Sequence, residues 1–297
     1  MVLPFEYPRA AHITPAFTSL EHQPDIDHAR VVVLPVPLTS GVSRAGVDAG
    51  AEAVLSASAS VEPWDEETLT DICTVGILTL PALRPSARLD ASLATLRTVA
   101  GAIVARERFP LFLGGDHVIT APIVSAVAQQ FSGLSVLHIG AQAELRDPRT
   151  TTPFHPATAM RRTIEFARAT QVGIRSLSTE EAGAVPSLPT ELFFDHNMRD
   201  EANWIDRIID SLGETVYLTI DVNGLDPALM PAACAPEPGG LSWYELLAVL
   251  RRVIEARRVV GADLVGLSPI NGWRAPNVVA ARLLAKVIAY RFGAIGR

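Results

Sequence analysis

Short β-branched apolar runs recur along the chain, each closed by a polar or glycine-rich turn, and most lead into a segment with helical spacing. The runs fall at 30–36, 110–114, 134–139, 170–174, 190–194, 215–221 and 259–267. Near-continuous apolarity marks strands covered on both sides. Alternation with helices therefore predicts an α/β fold, a mostly parallel sheet with helices on both faces. Leu93, Leu96, Val99, Ile103 and Val104 repeat at helical spacing behind Asp90, which predicts a helix capped by Asp90 and running to about Glu107. The 297 residues, 48% hydrophobic and 19% charged, suit one large α/β domain better than two small ones. No repeat or linker divides the chain, so the expected organisation is an irregular N-terminal arm over 1–29 and a single domain over 30–297.

Composition narrows the partners. Net charge is −7. The densest basic stretch, Arg251, Arg252, Arg257 and Arg258, has near-helical spacing and reads as a solvated face, so nucleic acid is not an expected partner. Cys73 and Cys234 lie far apart and fit a reducing compartment rather than a disulfide framework. Met1 to Thr14 shows no apolar signal-peptide core, and no apolar run approaches the ~18 residues of a membrane span. The expectation is a cytoplasmic protein with no membrane partner.

In parallel sheets, ligands bind beyond the carboxyl ends of the strands, so the residues just after each run carry the argument. Gly114-Gly115-Asp116-His117 follows the second run; its glycines can aim a histidine at a cleft, although a lone histidine there is more often structural. Gly140-Ala141-Gln142-Ala143-Glu144 follows the third run, and Asp221-Val222-Asn223-Gly224-Leu225-Asp226-Pro227 closes another. Pro236-Glu237-Pro238-Gly239-Gly240-Leu241 is expected to open a helix, and Val259 to Pro269 reads as a strand and its loop.

These segments resemble, in order and spacing, five elements of the ureohydrolase (arginase/agmatinase) family, with agmatinase the nearer type. The family patterns are Gly-Gly-Asp-His, His-Ile-Asp-Ala-His-x-Asp, Ile-Asp-Val-Asp-x-x-Asp-Pro, Pro-Glu-Pro-Gly-Gly-Leu and Val-Gly-x-Asp-x-Val-Glu-x-x-Pro. Ser40 to Ser58, His155 to Arg162 and Val172 to Ser176 extend the likeness, which covers about 30–290. The resemblance implies an arginase-like fold and hydrolysis of a guanidino C–N bond. Two Mn²⁺ ions would generate the strong nucleophile that this poor electrophile requires.

Of the six family metal positions, His117 and Asp221 match, Glu144 replaces an aspartate, and Gly140, Gln142 and Asn223 bring no negative charge. Gly266 stands where the family places the glutamate that pairs with the guanidinium. Two carboxylates cannot balance two dications, so the expectation is no ion, or at most one, with Mn²⁺ favoured, at a residual site of His117, Glu144 and Asp221. On that count the chain is a homologue inactive as a guanidino hydrolase that serves a binding or assembly role. The alternative is an amidine or guanidine C–N hydrolase of altered chemistry that uses one metal or none on an unknown small substrate. His155 matches the family's proton-shuttling histidine, with a structural role as the competing reading. Cys234 is a pocket candidate for a nucleophile, with an inert loop cysteine as the blander reading. Asp116, His138, Asp226, Arg161, Arg162 and Arg175 are assigned to the scaffold. The resemblance also implies a homo-oligomer, a trimer or hexamer, or a mixed oligomer with an active paralogue.

Overall fold

Val31–Val36 is buried at every position, and its side chains alternate between two cores: Val31 and Val33 on one side of the sheet, Val32, Leu34 and Val36 on the other. That alternation is what a strand roofed on both faces requires. The computed structural model describes residues 16–19, 23–150, 152 and 154–293. Its strands are β1 (Val31–Val36), β2 (Trp64–Asp65), β3 (Thr70–Asp71), β4 (Ile77–Thr79), β5 (Phe109–Gly114), β6 (Leu134–Ile139), β7 (Arg168–Ile174), β8 (Thr190–Phe194), β9 (Thr215–Asp221) and β10 (Arg258–Val265). The α-helices are α1 (Gly50–Ser58), α2 (Leu89–Val104), α3 (Thr120–Val127), α4 (Ala159–Thr163), α5 (Thr179–Ala184), α6 (Trp204–Ser211), α7 (Trp243–Ala256) and α8 (Ala275–Phe292).

Eight strands form one parallel sheet in the order β4-β1-β5-β10-β9-β6-β7-β8. One face is covered by Val54 of α1, Ile208 of α6, Leu250 of α7 and Leu284 of α8; the other by Leu96 of α2, Ile123 of α3 and Met160 of α4. The chain is thus a single α/β domain with helices on both faces. Strands β5, β10, β9 and β6 are neighbours, so 115–117, 266, 221–223 and 140–144 emerge side by side although they are distant in sequence. One step below those ends a fully buried polar row crosses the sheet in register: Gln171 beside His138, His138 beside Thr219, and Thr219 beside Asp263.

Several boundaries differ from expectation. The N-cap of α2 is Arg88, and Asp90 lies in the first turn with its carboxylate bound by Arg88 Nε (3.0 Å) and the Ala91 amide (2.9 Å). The helix stops at Val104, shortly before Glu107 turns left-handed (φ 59°). Helix α7 starts after Leu241, at Trp243, because Ser242 and Glu245 form a capping box there. Strands β2, β3 and β4 lie outside the apolar runs; two or three residues are too short to show a period. Of the expected arm, residues 1–15 and 20–22 lie outside the described residues, while Phe17 is buried in the core beside α1. No described helix is long and apolar enough to cross a membrane.

Arg199 braces the turn into α7. It pairs with Glu245 and Asp195 and donates to the Gly240 carbonyl. Burial pushes the Glu245 carboxyl up, but hydrogen bonds from Arg199 and Ser242 outweigh it and hold it at about 2. A depressed carboxylate stabilises fully above its unfolded value near 4.5 and ceases to do so as pH falls towards 2. Glu245→Gln is therefore expected to lower Tm at pH 7, with the gap to the parent narrowing steadily below pH ~4.5. Thermal melts at pH 7 and pH 3 check this; a gap unchanged by pH would refute it.

Candidate metal centre at the strand ends

Gly115 is required by close packing, since a Cβ there would lie 2.1 Å from the Leu38 carbonyl oxygen. The turn it permits places Asp116 as a staple. Its Oδ2 accepts from the Ser40 amide (2.7 Å), Ser40 Oγ (2.8 Å) and Ser43 Oγ (3.0 Å), and its Oδ1 from the Val118 amide (3.2 Å). His117 is thereby aimed at the centre of the strand ends. Its Nε2 meets Thr219 Oγ1 at 2.9 Å, and Thr219 donates onward to Asp263 Oδ1 at 2.6 Å. A hydroxyl that donates to a carboxylate accepts from the imidazole, so His117 Nε2 carries a proton and Nδ1 is the nitrogen turned towards the centre. That Nδ1 lies 2.5 Å from Glu144 Oε2.

Glu144 is buried and left-handed (φ 53°), a costly backbone state for a residue with a side chain. The Arg161 amide of α4 donates to its carbonyl at 3.0 Å and ties this strained residue to the helix. Burial pushes the Glu144 carboxyl up, to about 7. Burial also pulls His117 down, but the Glu144, Asp221 and Asp263 carboxylates outweigh it and hold the imidazole above its ordinary value. Asp221 accepts from the Asn223 amide (2.9 Å) and from Asn223 Nδ2 (2.8 Å).

The two amide replacements share one task. Asn223 Oδ1 accepts from the Ala235 amide (2.9 Å), and Gln142 Nε2 donates to the Ala235 carbonyl (2.9 Å), clamping that loop over the centre. Arg175 secures the same region by donating to the carbonyls of Asn223 (2.9 Å) and Glu237 (3.1 Å). Asp226 holds the start of the next turn through the Ala228 amide (2.8 Å). The Arg162 guanidinium of α4 lies over the Phe154 ring, 5.6 Å from its centroid.

The positions without a ligand are filled by neighbours. A Cβ on Gly140 would fall 2.2 Å from His138 Nε2, so the His138 ring stands where a side chain at 140 would go. Gly266 is left-handed (φ 82°), and a Cβ there would lie 2.4 Å from Asp221 Oδ1. A glutamate at 266 would therefore strain the backbone and crowd a like charge. Cys234 faces Asn223 at 3.7 Å, and burial pushes its thiol up to about 12, which leaves it protonated and a poor nucleophile at neutral pH. His155 N-caps the turn Pro156–Thr158, with Nδ1 accepting from the Ala157 amide (3.0 Å). Both line a cavity of about 390 Å³ together with Asp116, His117, Glu144 and Asp221. A larger cavity of about 580 Å³ among α2, α3 and α4 lacks this buried acid and imidazole floor.

The donors suit a divalent metal. Ligand atoms of His117, His138 and Asp221 lie within 4.8 Å of one another, all on buried residues. His117 Nδ1, His138 Nε2 and Glu144 Oε2 are buried without an aligned hydrogen bond, although the first and last are in close contact. His138 Nε2, the one of the three with no polar contact, costs about 1–3 kcal/mol when left unpaired, and a cation beside it would offset that. Sequence reasoning assigns His138 to the scaffold and gives Thr219, Gln171 and Asp263 no role. The available signal is a polar residue interrupting each of four buried apolar strands at one depth.

Comparison with known proteins places this geometry. The Arginase family model matches residues 29–290. An N(1)-aminopropylagmatine ureohydrolase of Synechocystis sp. is 35% identical over 272 residues, covering 88% of this chain and 89% of that protein. The crystal structure of the agmatine ureohydrolase of Thermoplasma volcanium superposes with a TM-score of 0.82 at 26% identity, covering 90% of this chain and 92% of the other. Proclavaminate amidino hydrolase from Streptomyces clavuligerus shares the fold, with a TM-score of 0.84 at 24% identity and coverage of 96% and 98%.

Two expectations are corrected. The inactive binding or assembly homologue is overturned by relatives named for ureohydrolase activity at this level of identity and coverage. The expectation of no ion, or at most one, is overturned by family membership together with the His117, His138 and Asp221 cluster. Both rest on a count confined to the six family positions, and a one-dimensional motif cannot show an imidazole filling the space of a missing side chain. With the family model spanning nearly all of the described domain, the chain belongs to the arginase family.

Proposed function

We propose that this protein is a metal-dependent C–N hydrolase that releases urea from an N-substituted agmatine of the aminopropylagmatine type. The observation that carries the reading is the buried cluster of His117, Glu144 and Asp221 on the floor of a cavity of about 390 Å³. The relatives' substrate supplies its specificity. A bound divalent ion would supply a strong nucleophile from water at neutral pH.

The chain's own residues do the rest. Glu144 and Asp221 give the floor the negative charge that both a metal and a guanidinium require. Asn223 and Gln142 hold the Ala235 loop beside the reacting group. His155 faces the cavity and, with Nδ1 committed to the Ala157 amide, carries its proton on Nε2. In that neutral tautomer Nε2–H can donate a hydrogen bond to a substrate group in the cavity, which orients it. The unpaired Cys73 and Cys234 agree with a cytoplasmic setting.

Urea release from aminopropylagmatine, agmatine and arginine, after loading with Mn²⁺ or Co²⁺, tests the proposal. Aminopropylagmatine is expected to be favoured over agmatine by about tenfold or more in kcat/KM, the scale of one added pocket contact. No urea above background from any of the three, with metal demonstrably bound, would refute it.

A further inference from the structure

We propose that His138 is a metal ligand of this centre, standing in for the carboxylate that position 140 lacks, and that Gly140 is what admits it. The proposal deepens the reading of a metal-dependent site and rests on it.

Three independent observations support it. The first is space: the His138 ring occupies the volume of a side chain at 140, with Nε2 at 2.2 Å from where the Cβ would be. The second is orientation. His138 Nδ1 meets Gln171 Oε1 at 2.9 Å, and the same amide reaches Thr190 Oγ1 through Nε2 at 3.1 Å, while His138 Nε2 has no partner. The imidazole proton is therefore on Nδ1, and Nε2 presents a lone pair. A proton on Nε2 instead would be a buried donor with no acceptor. The third is convergence: the His138 and His117 rings lie 4.9 Å apart and share the cluster with Asp221.

His117 and His138 are built alike. Each has its outer nitrogen tied to a polar residue of the sheet, Thr219 for one and Gln171 for the other, and its inner nitrogen turned to the centre, where His117 Nδ1 meets Glu144 and His138 Nε2 has no partner. Anchoring of the outer nitrogen is the arrangement that fixes tautomer and ring direction in metal-binding histidines. Exchanging a carboxylate for an imidazole also moves the donor set away from the hard oxygen ligands that suit Mn²⁺ and towards those that suit Co²⁺ or Zn²⁺.

The test measures Co²⁺ binding by calorimetry and by the visible absorption of the bound ion, with Mn²⁺ as competitor and the Tm of the metal-stripped protein as a folding control. His138→Gln is expected to weaken Co²⁺ binding by about 100-fold and to change the absorption spectrum. Gly140→Ala adds no ligand and removes none, yet should weaken binding by about tenfold by displacing the ring. If position 140 were simply empty, Gly140→Ala would leave affinity unchanged and Gly140→Asp would raise it. Parent-like Co²⁺ affinity and spectrum in His138→Gln, or tighter binding in Gly140→Asp, overturns the proposal. Weakened binding in both His138→Gln and Gly140→Ala supports it even if the parent releases no urea, in which case only the proposed function fails. A parent that takes up no Co²⁺ overturns both.

Discussion

Asp221→Asn is expected to reduce urea release by on the order of 10³-fold while leaving the metal-stripped protein folded. Asp221 lies at the end of β9 between the two buried histidines and Asn223, and is 2% exposed. The amide keeps an oxygen for the Asn223 backbone N–H, so the turn after β9 retains its cap. What would be lost is one of the negative charges that the proposed centre offers a dication, and with it several kcal/mol of stabilisation in the transition state. Steady-state kinetics with saturating Mn²⁺ or Co²⁺, alongside metal content, provide the check. Turnover within about tenfold of the parent would show that Asp221 is not part of the centre.

Lys286→Met is expected to lower the unfolding free energy by about 3–5 kcal/mol. Lys286 on α8 is 2% exposed and donates to Asp65, Glu66 and Glu67, each at 2.8 Å. Glu67 also accepts from Tyr290 at 2.8 Å, and Asp65 from the Thr68 amide and hydroxyl at 2.8 Å. Methionine fills similar space but leaves the buried Asp65 carboxylate without its cation. Removing one partner of a buried pair costs more than the pair itself contributes. Lys286→Met with Asp65→Leu should recover much of the loss, since the orphaned charge is then gone. Urea denaturation of the three proteins measures it. A single-variant loss under about 1 kcal/mol would mean that water compensates Asp65.

The strands were legible in the sequence because burial on both faces imposes a run of apolar residues, which needs no knowledge of neighbours. Each run coincides with a strand of the sheet to within two residues at either end, β10 stopping two residues before its run does. The shortest strands were not legible, since β2 and β3 are two-residue strands that pair only with each other and the three-residue β4 is defined by its pairing with β1. Helix ends were less legible than helix centres: Arg88 at the start of α2 offers no side-chain cap to recognise.

The site divides in the same way. Position by position, the sequence determined which side chains stand at the ends of β5, β6 and β9, and that 140, 142, 223 and 266 depart from the family pattern. Only the tertiary structure decided what those gaps mean. His138 fills the space at 140, Asn223 and Gln142 clamp Ala235, and Gly266 leaves room for Asp221. The physical reason is that a ligand set depends on which atoms share a volume. In a parallel sheet that volume is filled from strands whose order in space, β5-β10-β9-β6, is not their order in the chain.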